Sequence, residues 1–535
     1  MKHKLIFIAI ILLAFFLRFW HLGLNPPSLD WDEASLGYNA YSILKTGRDE
    51  YGTFLPLSIR SFGDYKPPLY TYLTTIPVAL FGLNEFSTRF ISALFGAISI
   101  LVAFFLIREL FPSKSSLFSF LFMLFFAISP WHIQFSRVAF EANLALFFFI
   151  LGTFLFLKGL KEGKYYILSF LALGLSTYAY HSPRLIVPLF ISGLIIIFQK
   201  QIAGNKKLLV LAASILIIFI LPIAVQITSG GSARLGSVTI FNPENLGTTI
   251  QELKLDQQKG DWLGSLLHNR RVVYLFDTMG GYIDHFNFNF LFLNGDPPGR
   301  HHAAGMGMLY LWDLPFVIFG FLYLIKNRTP QTNAILLWFL LAPSASALTT
   351  GTPHAVRALF YIPIYQIFST VAIAELLGRL NSPKKFMRPL IMLTFAFLIL
   401  NFFYYLNMYW IHTPMEYSQW WQYGYKQLVE EVNKIENNYN KVIVTYRYDQ
   451  PYIFFLFYNQ INPSWYQRNW GGGEVQRAQR SFGKYEFRNI DWPHDSQMRN
   501  VILVGTPDEI PGSTSGLIKE IHFLDGSVAF RIVAR

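Results

Sequence analysis

The sequence predicts an α-helical polytopic membrane protein with about eleven transmembrane helices, followed by a small C-terminal α/β domain. Three observations lead to this class. Of the 535 residues, 53% are hydrophobic and only 14% are charged, unlike the composition of soluble domains. Long apolar runs recur along most of the chain, and Lys and Arg cluster in the short gaps between them. The last part of the chain has the shorter patterns of strands and one amphipathic helix.

Charge and cysteine content exclude several classes of function. The net charge of +12 does not indicate a nucleic-acid partner, because the basic residues lie between apolar runs and form no stripe on a soluble face. Without cysteine, the chain has neither a disulfide framework nor a Cys-based zinc or redox site. The sequence has no Gly-rich nucleotide-phosphate loop, so a nucleotide sugar or ATP is not the expected donor.

Apolar length locates the membrane spans, since a helix needs roughly 20 apolar residues to cross the hydrocarbon core. The first run follows Lys2 and Lys4 in the manner of a signal peptide, but no small-residue cleavage site comes after it, so we expect a retained anchor. The predicted spans cover residues 5–20, 89–110, 117–132, 143–160, 165–180, 185–198, 208–225, 309–325, 334–348, 356–377 and 390–410.

Basic residues set the orientation of these spans. With the N-terminus in the cytoplasm, every inner gap is short and basic, as the positive-inside rule requires. An odd number of spans then leaves the C-terminus outside, in a multi-pass protein of the plasma (inner) membrane. The inner gaps hold Arg108 and Lys114; Lys158, Lys161 and Lys164; Lys200, Lys206 and Lys207; Lys326 and Arg328; and Arg379, Lys384, Lys385 and Arg388.

Three larger segments face outward in this topology. They are a first loop at 21–88 and a long loop at 227–308, both within a transmembrane catalytic domain at 1–411, and an extracytoplasmic α/β domain at 412–535. No catalytic constellation stands out in this last domain, which favours a packing or acceptor-positioning module. Its patterns predict a helix over 417–437 and strands over 442–446, 501–504, 521–523 and 528–533.

The first outer loop holds three carboxylates within four positions, at Asp30, Asp32 and Glu33. Such a group is typical either of a solvated loop or of a site that tunes protonation. Trp31 and the apolar positions after Glu33 predict a helix along the membrane interface, which would hold the carboxylates near headgroup depth. A second interfacial helix is predicted over 72–81, after Lys66 and two prolines.

Several cations lie at outer ends of spans, against the charge bias of the topology. A lone Lys66 at the interface is typical of a snorkelling side chain, but a set of cations around one outward cavity is what a phosphate ligand requires. Glu141 lies nearby, four residues after Arg137, so the two either pair on one helix face or Glu141 orients the cations or a sugar hydroxyl. The other outward cations are Arg89, His132, His181, Arg184, His354 and Arg357.

Four short motifs carry a family resemblance. They are Asp32-Glu33-Ala34, Lys66-Pro67-Pro68-Leu69, the run from Arg89 to Gly96, and the segment from Arg137 to Glu141. In this order they resemble the GT-C glycosyltransferases, specifically the protein O-mannosyltransferase and aminoarabinose-transferase-like family. The resemblance covers nearly the whole chain.

The resemblance implies an inverting sugar transfer from a polyprenyl-phosphate donor to a hydroxyl of a protein, a lipid or a cell-surface glycan, with no metal and no cofactor. It implies that Asp32 takes the hydroxyl proton and that Glu33 supports it. Tyr65 stands where many relatives have Glu, and Glu141 where Asp is common. The phosphate-binding candidates are Lys66, Arg357, His354 and Arg89; the substrate-binding candidates are Glu141, Arg137, Tyr65, His181 and Arg184.

Two other functions fit parts of the sequence. A flippase or transporter of lipid-linked sugars would also have many spans and outward cations, but such proteins usually have internal repeats or charged helices near the midplane. An oligosaccharyl transferase or ligase using a lipid diphosphate is the second alternative. Its metal-dependent form would need outward ligands, for which Glu141, Asp277, Asp284 and His285 are the available residues.

Overall fold

Apolar helices cover the predicted membrane spans in a computed structural model, which describes residues 2–202, 204, 206–228, 238–242, 246–378, 387–469 and 481–535. The two longest begin at Glu85 and Lys206. These helices are α1 (Lys2–Phe19), α4 (Glu85–Leu110), α5 (Ser116–Ile128), α6 (Pro130–Ser136), α7 (Glu141–Gly159), α8 (Tyr165–Ala179), α9 (Pro183–Ile197), α11 (Lys206–Thr228), α15 (Asp313–Lys326), α16 (Pro330–Leu341), α18 (Ile362–Gly378) and α19 (Met387–Asn407).

The structure corrects one of these spans. The predicted helix over 117–132 is broken between α5 and α6, which are bent by 57° at Ser129 and Pro130. Pro130 has no N–H to continue the hydrogen bonds of α5, and Ser129 instead caps α6 by accepting from the His132 N–H. Within the described residues, five helices are long and apolar enough to cross a membrane, or six with this bent pair. The number of about eleven spans therefore stays a prediction.

The predicted first outer loop contains two helices and a hairpin between them. Helix α2 (Trp31–Thr46) begins at a capping box, in which Asp30 accepts from the Glu33 N–H, and ends at Gly47 in the left-handed region. Strands β1 (Ile59–Ser61) and β2 (Asp64–Lys66) pair antiparallel. Helix α3 (Leu69–Phe81) follows the two prolines. Both predicted interfacial helices are therefore present as helices.

The predicted long outer loop is largely helical among its described residues. A π-helical turn over Asn289–Leu293 leads from its last helix into an irregular stretch that reaches the cavity described below. Residues 229–237 and 243–245 of this loop lie outside the described residues, as do Arg379, Lys384 and Lys385 of the last predicted inner gap. The short helices in and before this loop are α10 (Gln199–Ile202), α12 (Gly247–Lys259), α13 (Trp262–Leu267) and α14 (Arg270–Asp284); α17 (Ser344–Ala347) follows α16.

The C-terminal part forms a five-stranded mixed sheet in the order β4-β3-β5-β7-β6. Strand β3 is parallel to both β4 and β5, and β7 is antiparallel to its two neighbours. The predicted strands are thus present, with β4 unanticipated. The strands are β3 (Lys441–Val444), β4 (Tyr485–Phe487), β5 (Val501–Gly505), β6 (Leu517–His522) and β7 (Val528–Ala534); the helices are α20 (Thr413–Glu416), α21 (Tyr425–Ile435), α22 (Pro451–Tyr458), α23 (Pro463–Asn469) and α24 (Trp492–Asp495).

The C-terminal part packs directly on α2 and forms one hydrophobic cluster with it. Ala34 and Tyr38 of α2 are fully buried in the same cluster as Phe457 of α22. A Cβ at Gly37 would come within 2.6 Å of Phe457, so α2 and α22 approach too closely for any larger residue there. The sheet and its helices therefore fix the position of α2, whose first turn carries Asp32 and Glu33.

Candidate active site

A cavity of about 290 Å³ lies at the beginning of α2, between the β1–β2 hairpin and the loops that precede α7 and α18. Carboxylates and cations both line it, and its walls also contain aromatic rings. The lining residues are Asp30, Trp31, Asp32, Glu33, Ser61, Phe62, Asp64, Lys66, Ala139, Phe140, Glu141, Tyr180, Pro298, Arg300, His301, His354 and Val356.

Asp32 and Lys66 form an ion pair in this cavity, with Lys66 Nζ 2.5 Å from Asp32 Oδ1. The Lys66 side chain is only 7% exposed, whereas that of Asp32 is 42% exposed. Burial alone lowers the pKa of Lys66, but the carboxylates of Asp32 and Glu141 outweigh it and raise that pKa. Lys66 is therefore a fixed positive charge, and Asp32 is the carboxylate of the pair that solvent or a substrate can reach.

The β1–β2 hairpin determines which side chains face the cavity. Ser61 pairs with Asp64 and Ile59 with Lys66, so Asp64 and Lys66 share one face of β2 while Tyr65 points to the other. Asp64 and Lys66 line the cavity, and Tyr65 does not. The alternation of the strand thus places Asp64 in the cavity lining and Tyr65 outside it, and substrate binding by Tyr65 stays a prediction.

Glu33 and Arg89 form a buried, bidentate ion pair behind Asp32. Arg89 Nε donates to Glu33 Oε1 and Nη2 to Oε2, both at 2.8 Å, and the Ala139 N–H donates to Oε1 at 2.9 Å. Arg89 also donates to the backbone carbonyls of Pro26 and Ser28. Arg89 lies outside the cavity lining and contacts Glu33, and its phosphate contact stays a prediction.

Arg300 is a cavity residue that sequence reasoning missed. Its Nη1 donates to Asp30 Oδ2 at 2.9 Å, and its guanidinium carbon lies 4.5 Å from the centre of the Trp31 ring. Burial raises the pKa of Asp30 to about 6, against the lowering effect of Arg300. The basic residues after the two prolines at 297 and 298 were the one sequence feature that could have indicated a site here. No sequence pattern in this segment indicates that it contacts Asp30.

Arg137 lies outside the cavity lining as well, which departs from its predicted contact with substrate. Its guanidinium is buried and donates to Tyr409 Oη and to the backbone carbonyls of Leu17, Arg18 and Asn25. Helix α6 ends at Ser136 and α7 begins at Glu141, so the two residues do not share a helix face. Glu141 instead faces the cavity from the first turn of α7.

The remaining predicted residues divide between the cavity and its surroundings. His354 lines it, together with His301, whose Nδ1 lies 2.6 Å from Asp296 Oδ2. Arg357 lies outside the lining and donates from Nη1 to Thr349 and to the Thr350 carbonyl. His181 and Arg184 lie outside it too, and the preceding Tyr180 lines the cavity in their place.

The arrangement combines an accessible carboxylate with cations on more than one side. The Asp32 carboxylate is chemically able to accept a proton, and the cations Lys66 and Arg300 are able to bind an anionic group in the same cavity. The aromatic and apolar lining lowers the local dielectric, which strengthens these charge interactions.

Comparison with solved structures identifies the fold. The chain resembles ArnT from Cupriavidus metallidurans in the apo state, with a TM-score of 0.54, 12% identity, and coverage of 99% of this chain and 97% of that one. The undecaprenyl phosphate-bound form of ArnT gives the same TM-score and coverage at 13% identity. The chain therefore has the fold of ArnT. The resemblance carried by the sequence motifs is confirmed.

Two further comparisons agree with the GT-C fold. Residues 65–225 match the family described as dolichyl-phosphate-mannose-protein mannosyltransferase. The oligosaccharyltransferase AglB from Archaeoglobus fulgidus, in complex with an inhibitory peptide and a dolichol-phosphate, matches with a TM-score of 0.50 and 12% identity over 85% of this chain. The chain spans 64% of the length of AglB. No curated protein sequence matches the chain.

Proposed function

We propose that the protein is a membrane glycosyltransferase that moves a sugar from a polyprenyl-phosphate donor to a hydroxyl group at the extracytoplasmic face. The observation that carries this proposal is the Asp32–Lys66 pair, a half-exposed carboxylate held beside a buried ammonium in one cavity. Arg300 adds a second cation to the same cavity. A lipid phosphate and a hydroxyl acceptor need these two kinds of group side by side.

Each charged group of the cavity has one role in the proposed reaction. The Asp32 carboxylate accepts the proton of the acceptor hydroxyl, whose oxygen attacks the anomeric carbon from the side opposite the phosphate. The bond from the anomeric carbon to the phosphate oxygen breaks, and the polyprenyl phosphate leaves. The configuration at the anomeric carbon of the transferred sugar is inverted. Lys66 and Arg300 hold the charge that accumulates on the leaving phosphate. The two protein cations thus stabilise the negative charge of the phosphate, which a metal ion stabilises in other phosphate sites.

The known ligands of similar proteins support the donor class. ArnT binds undecaprenyl phosphate, and AglB has been captured with a dolichol-phosphate and a peptide. Both lipids carry a phosphate on a long polyprenyl chain, which fits a cavity at the outer ends of membrane helices. The acceptor is a hydroxyl group of a protein, a lipid or a cell-surface glycan, because the proposed reaction needs only a hydroxyl group.

The C-terminal sheet is proposed to position α2 and take no part in the chemistry. Residues 412–535 contribute no side chain to the cavity among the described parts of the chain. They bury one face of α2 instead, as the shared hydrophobic cluster indicates.

A donor panel tests the proposed function. Purified full-length protein in detergent is incubated with radiolabelled polyprenyl-phosphate sugars and, separately, polyprenyl-diphosphate glycans, and both transfer and hydrolysis are measured. We expect turnover of at least one monophosphate donor. Turnover of diphosphate donors alone would favour the ligase function, and movement of intact lipid-linked sugar across vesicles without any turnover would favour a flippase.

A further inference from the structure

A second cavity, of about 360 Å³, lies behind the segment that carries Arg300. Neighbouring residues of that segment line different cavities. Pro297 and Gly299 line the second cavity, whereas Pro298 and Arg300 line the candidate active site. No described residue lines both. A wall about one backbone thick therefore separates the second cavity from the candidate active site.

Three asparagine side chains at and around the π-helical turn line this second cavity, at Asn287, Asn289 and Asn294. Asn287 Oδ1 accepts from the Asn289 N–H at 2.8 Å, and Asn289 Oδ1 accepts from Asn294 Nδ2 at 2.6 Å. These two bonds use the side-chain oxygens of Asn287 and Asn289. The Nδ2 groups of the same two residues are exposed side-chain donors that are available to a ligand in the cavity.

Two aromatic residues from the C-terminal part, Tyr417 and Trp420, line the second cavity as well. A Cβ at Gly299 would come within 2.8 Å of both rings, so the rings rest directly on the backbone of the separating wall. The ring of His302 lies 5.6 Å from that of Tyr417, in an edge-on arrangement. Trp420 is nevertheless 44% exposed, so its ring offers a surface on which a ligand can stack.

Amide groups beside aromatic rings are suited to a neutral sugar. A sugar ring has an apolar face of C–H groups that packs on an aromatic ring, and its hydroxyl groups exchange hydrogen bonds with amides, which both donate and accept. An anionic ligand would need cations, and no Lys or Arg lines the second cavity among the described residues. An extended peptide usually pairs with a strand edge, and none of the lining residues belongs to a strand.

We propose that the second cavity binds a sugar unit of a glycan acceptor, next to the unit whose hydroxyl group enters the candidate active site. The thin wall at Gly299 keeps the two sugar units close to each other. This choice of a glycan among the possible acceptors rests on the proposed function, whereas binding of a sugar in the second cavity does not.

Sugar binding without any donor tests the site itself. Full-length protein, purified in a detergent without a sugar headgroup, is titrated with mannotriose, cellotriose and chitotriose, and saturation-transfer NMR measures binding of each. We expect at least one trisaccharide to bind at millimolar concentration or below. Trp420→Ala should weaken that binding by about tenfold, the scale of one aromatic contact, and Trp420→Phe should weaken it less because a ring remains.

A second variant removes hydrogen-bond donors and leaves the turn intact. Asn287→Asp keeps an oxygen that accepts from the Asn289 N–H, and we expect it to weaken sugar binding by about three- to tenfold. Trp465→Ala is the matched control, because Trp465 is 39% exposed and lies outside both cavities. Thermal unfolding shows whether each variant is folded. Absence of binding by all three trisaccharides, or equal binding by the folded Trp420→Ala and Asn287→Asp variants and the unchanged protein, would overturn the site.

Transfer kinetics then distinguish a sugar of the acceptor from a sugar of the donor. With the bound trisaccharide as acceptor, we expect Trp420→Ala to raise the KM for the acceptor by about tenfold and to leave kcat and donor affinity nearly unchanged. Weaker donor binding by Trp420→Ala would assign the sugar unit to the donor and overturn the proposal. Binding of a serine-containing peptide at Trp420 in place of the trisaccharides would overturn it too. Because the binding measurement contains no donor, its failure is distinct from failure of the donor panel.

Discussion

At the residue scale, the pairing of Asp32 with Lys66 defines the site. Lys66 Nζ lies 2.5 Å from Asp32 Oδ1. In the proposed reaction, Asp32 acts on the acceptor hydroxyl and Lys66 on the donor phosphate. An ammonium has three N–H donors, so Lys66 has donors for a phosphate in addition to the one used by Asp32. The pair therefore brings the proposed proton acceptor and the proposed phosphate-binding cation next to each other.

Lys66→Ala should weaken donor binding by about 10- to 100-fold, as expected for the loss of one hydrogen bond to a charged group. The rate of transfer from bound donor should fall less, because the phosphate contact exists in the ground state as well as in the transition state. Donor binding and single-turnover transfer measure the two effects separately. Lys45→Ala, near the exposed end of α2, is the control. Unchanged donor affinity of Lys66→Ala would remove Lys66 from the phosphate site.

Arg300 and Arg357 provide a second residue-scale comparison. Arg300 lines the cavity, whereas Arg357 is bonded to Thr349 and Thr350 outside its lining. We expect Arg300→Ala to weaken donor binding by about tenfold or more and Arg357→Ala to change it only slightly. Equilibrium binding of a labelled polyprenyl-phosphate sugar measures both. The opposite order would support the interpretation drawn from the sequence, in which Arg357 binds the phosphate.

The sequence predicts the motif residues of the cavity but misses those brought in by distant loops. Asp32, Lys66 and Glu141 stand in recognisable motifs, and all three line the cavity. Arg300 and His301 lie more than 150 positions after Glu141 along the chain, in a loop without a helical or strand pattern. Only the folded chain brings that loop against Asp30, so no local signal relates the two.

At the element scale, the buried Glu33–Arg89 pair holds the beginning of α2 against α4. Removing one partner of a buried pair leaves the other charge unpaired and commonly costs about 3–5 kcal/mol. Glu33→Ala should therefore lower the thermal unfolding midpoint in detergent strongly. Glu85 lies on α4 like Arg89 and forms a more exposed ion pair with Lys426 of α21. Glu85→Ala breaks that pair, and the loss of an exposed ion pair typically costs about 0–1 kcal/mol of stability. Equal midpoints for the two variants would contradict an anchoring role for Glu33.

Element boundaries show where sequence patterns are insufficient. The four-residue spacing of Arg137 and Glu141 suggested one helix face, but the chain leaves α6 before Arg137 and enters α7 at Glu141. The predicted helix over 417–437 begins only at Tyr425, because Gly424 adopts a φ of 109° that ends the preceding turns. Helix α22 was missed because an entirely buried apolar run has no amphipathic period.

At the scale of the whole molecule, the helices and the C-terminal sheet meet at α2. Hydrophobic periodicity was sufficient to predict apolar helices followed by a C-terminal sheet, because membrane helices and half-buried strands each have a strong pattern. Their contact was not predictable from the sequence. It depends on complementary shapes at Gly37 and Phe457, which are more than 400 residues apart.

The orientation of the whole chain in the membrane is a further prediction. An epitope tag after Arg535 should be accessible from outside intact cells, and a tag inserted in the 384–388 gap only after permeabilisation. The basic residues of the inner gaps are the physical reason. Labelling of intact and permeabilised cells distinguishes the two positions, and the reverse pattern would place the cavity in the cytoplasm.

Asp30→Asn is not a neutral control for the proposed base, because Asp30 caps α2 and pairs with Arg300. Asp64 is the better comparison, since it lines the same cavity from the same strand as Lys66. An Asp→Asn change at either position preserves shape and removes one carboxylate charge.

Single-turnover transfer from bound donor, compared between Asp32→Asn and Asp64→Asn, tests the central claim most directly. The account predicts that Asp32→Asn still binds the donor but transfers the sugar about 10²- to 10⁴-fold more slowly, the usual range for the loss of a positioned proton acceptor. Asp64→Asn should lose far less. Near-normal transfer by Asp32→Asn, with transfer abolished in Asp64→Asn, would contradict the assignment of Asp32 as the base.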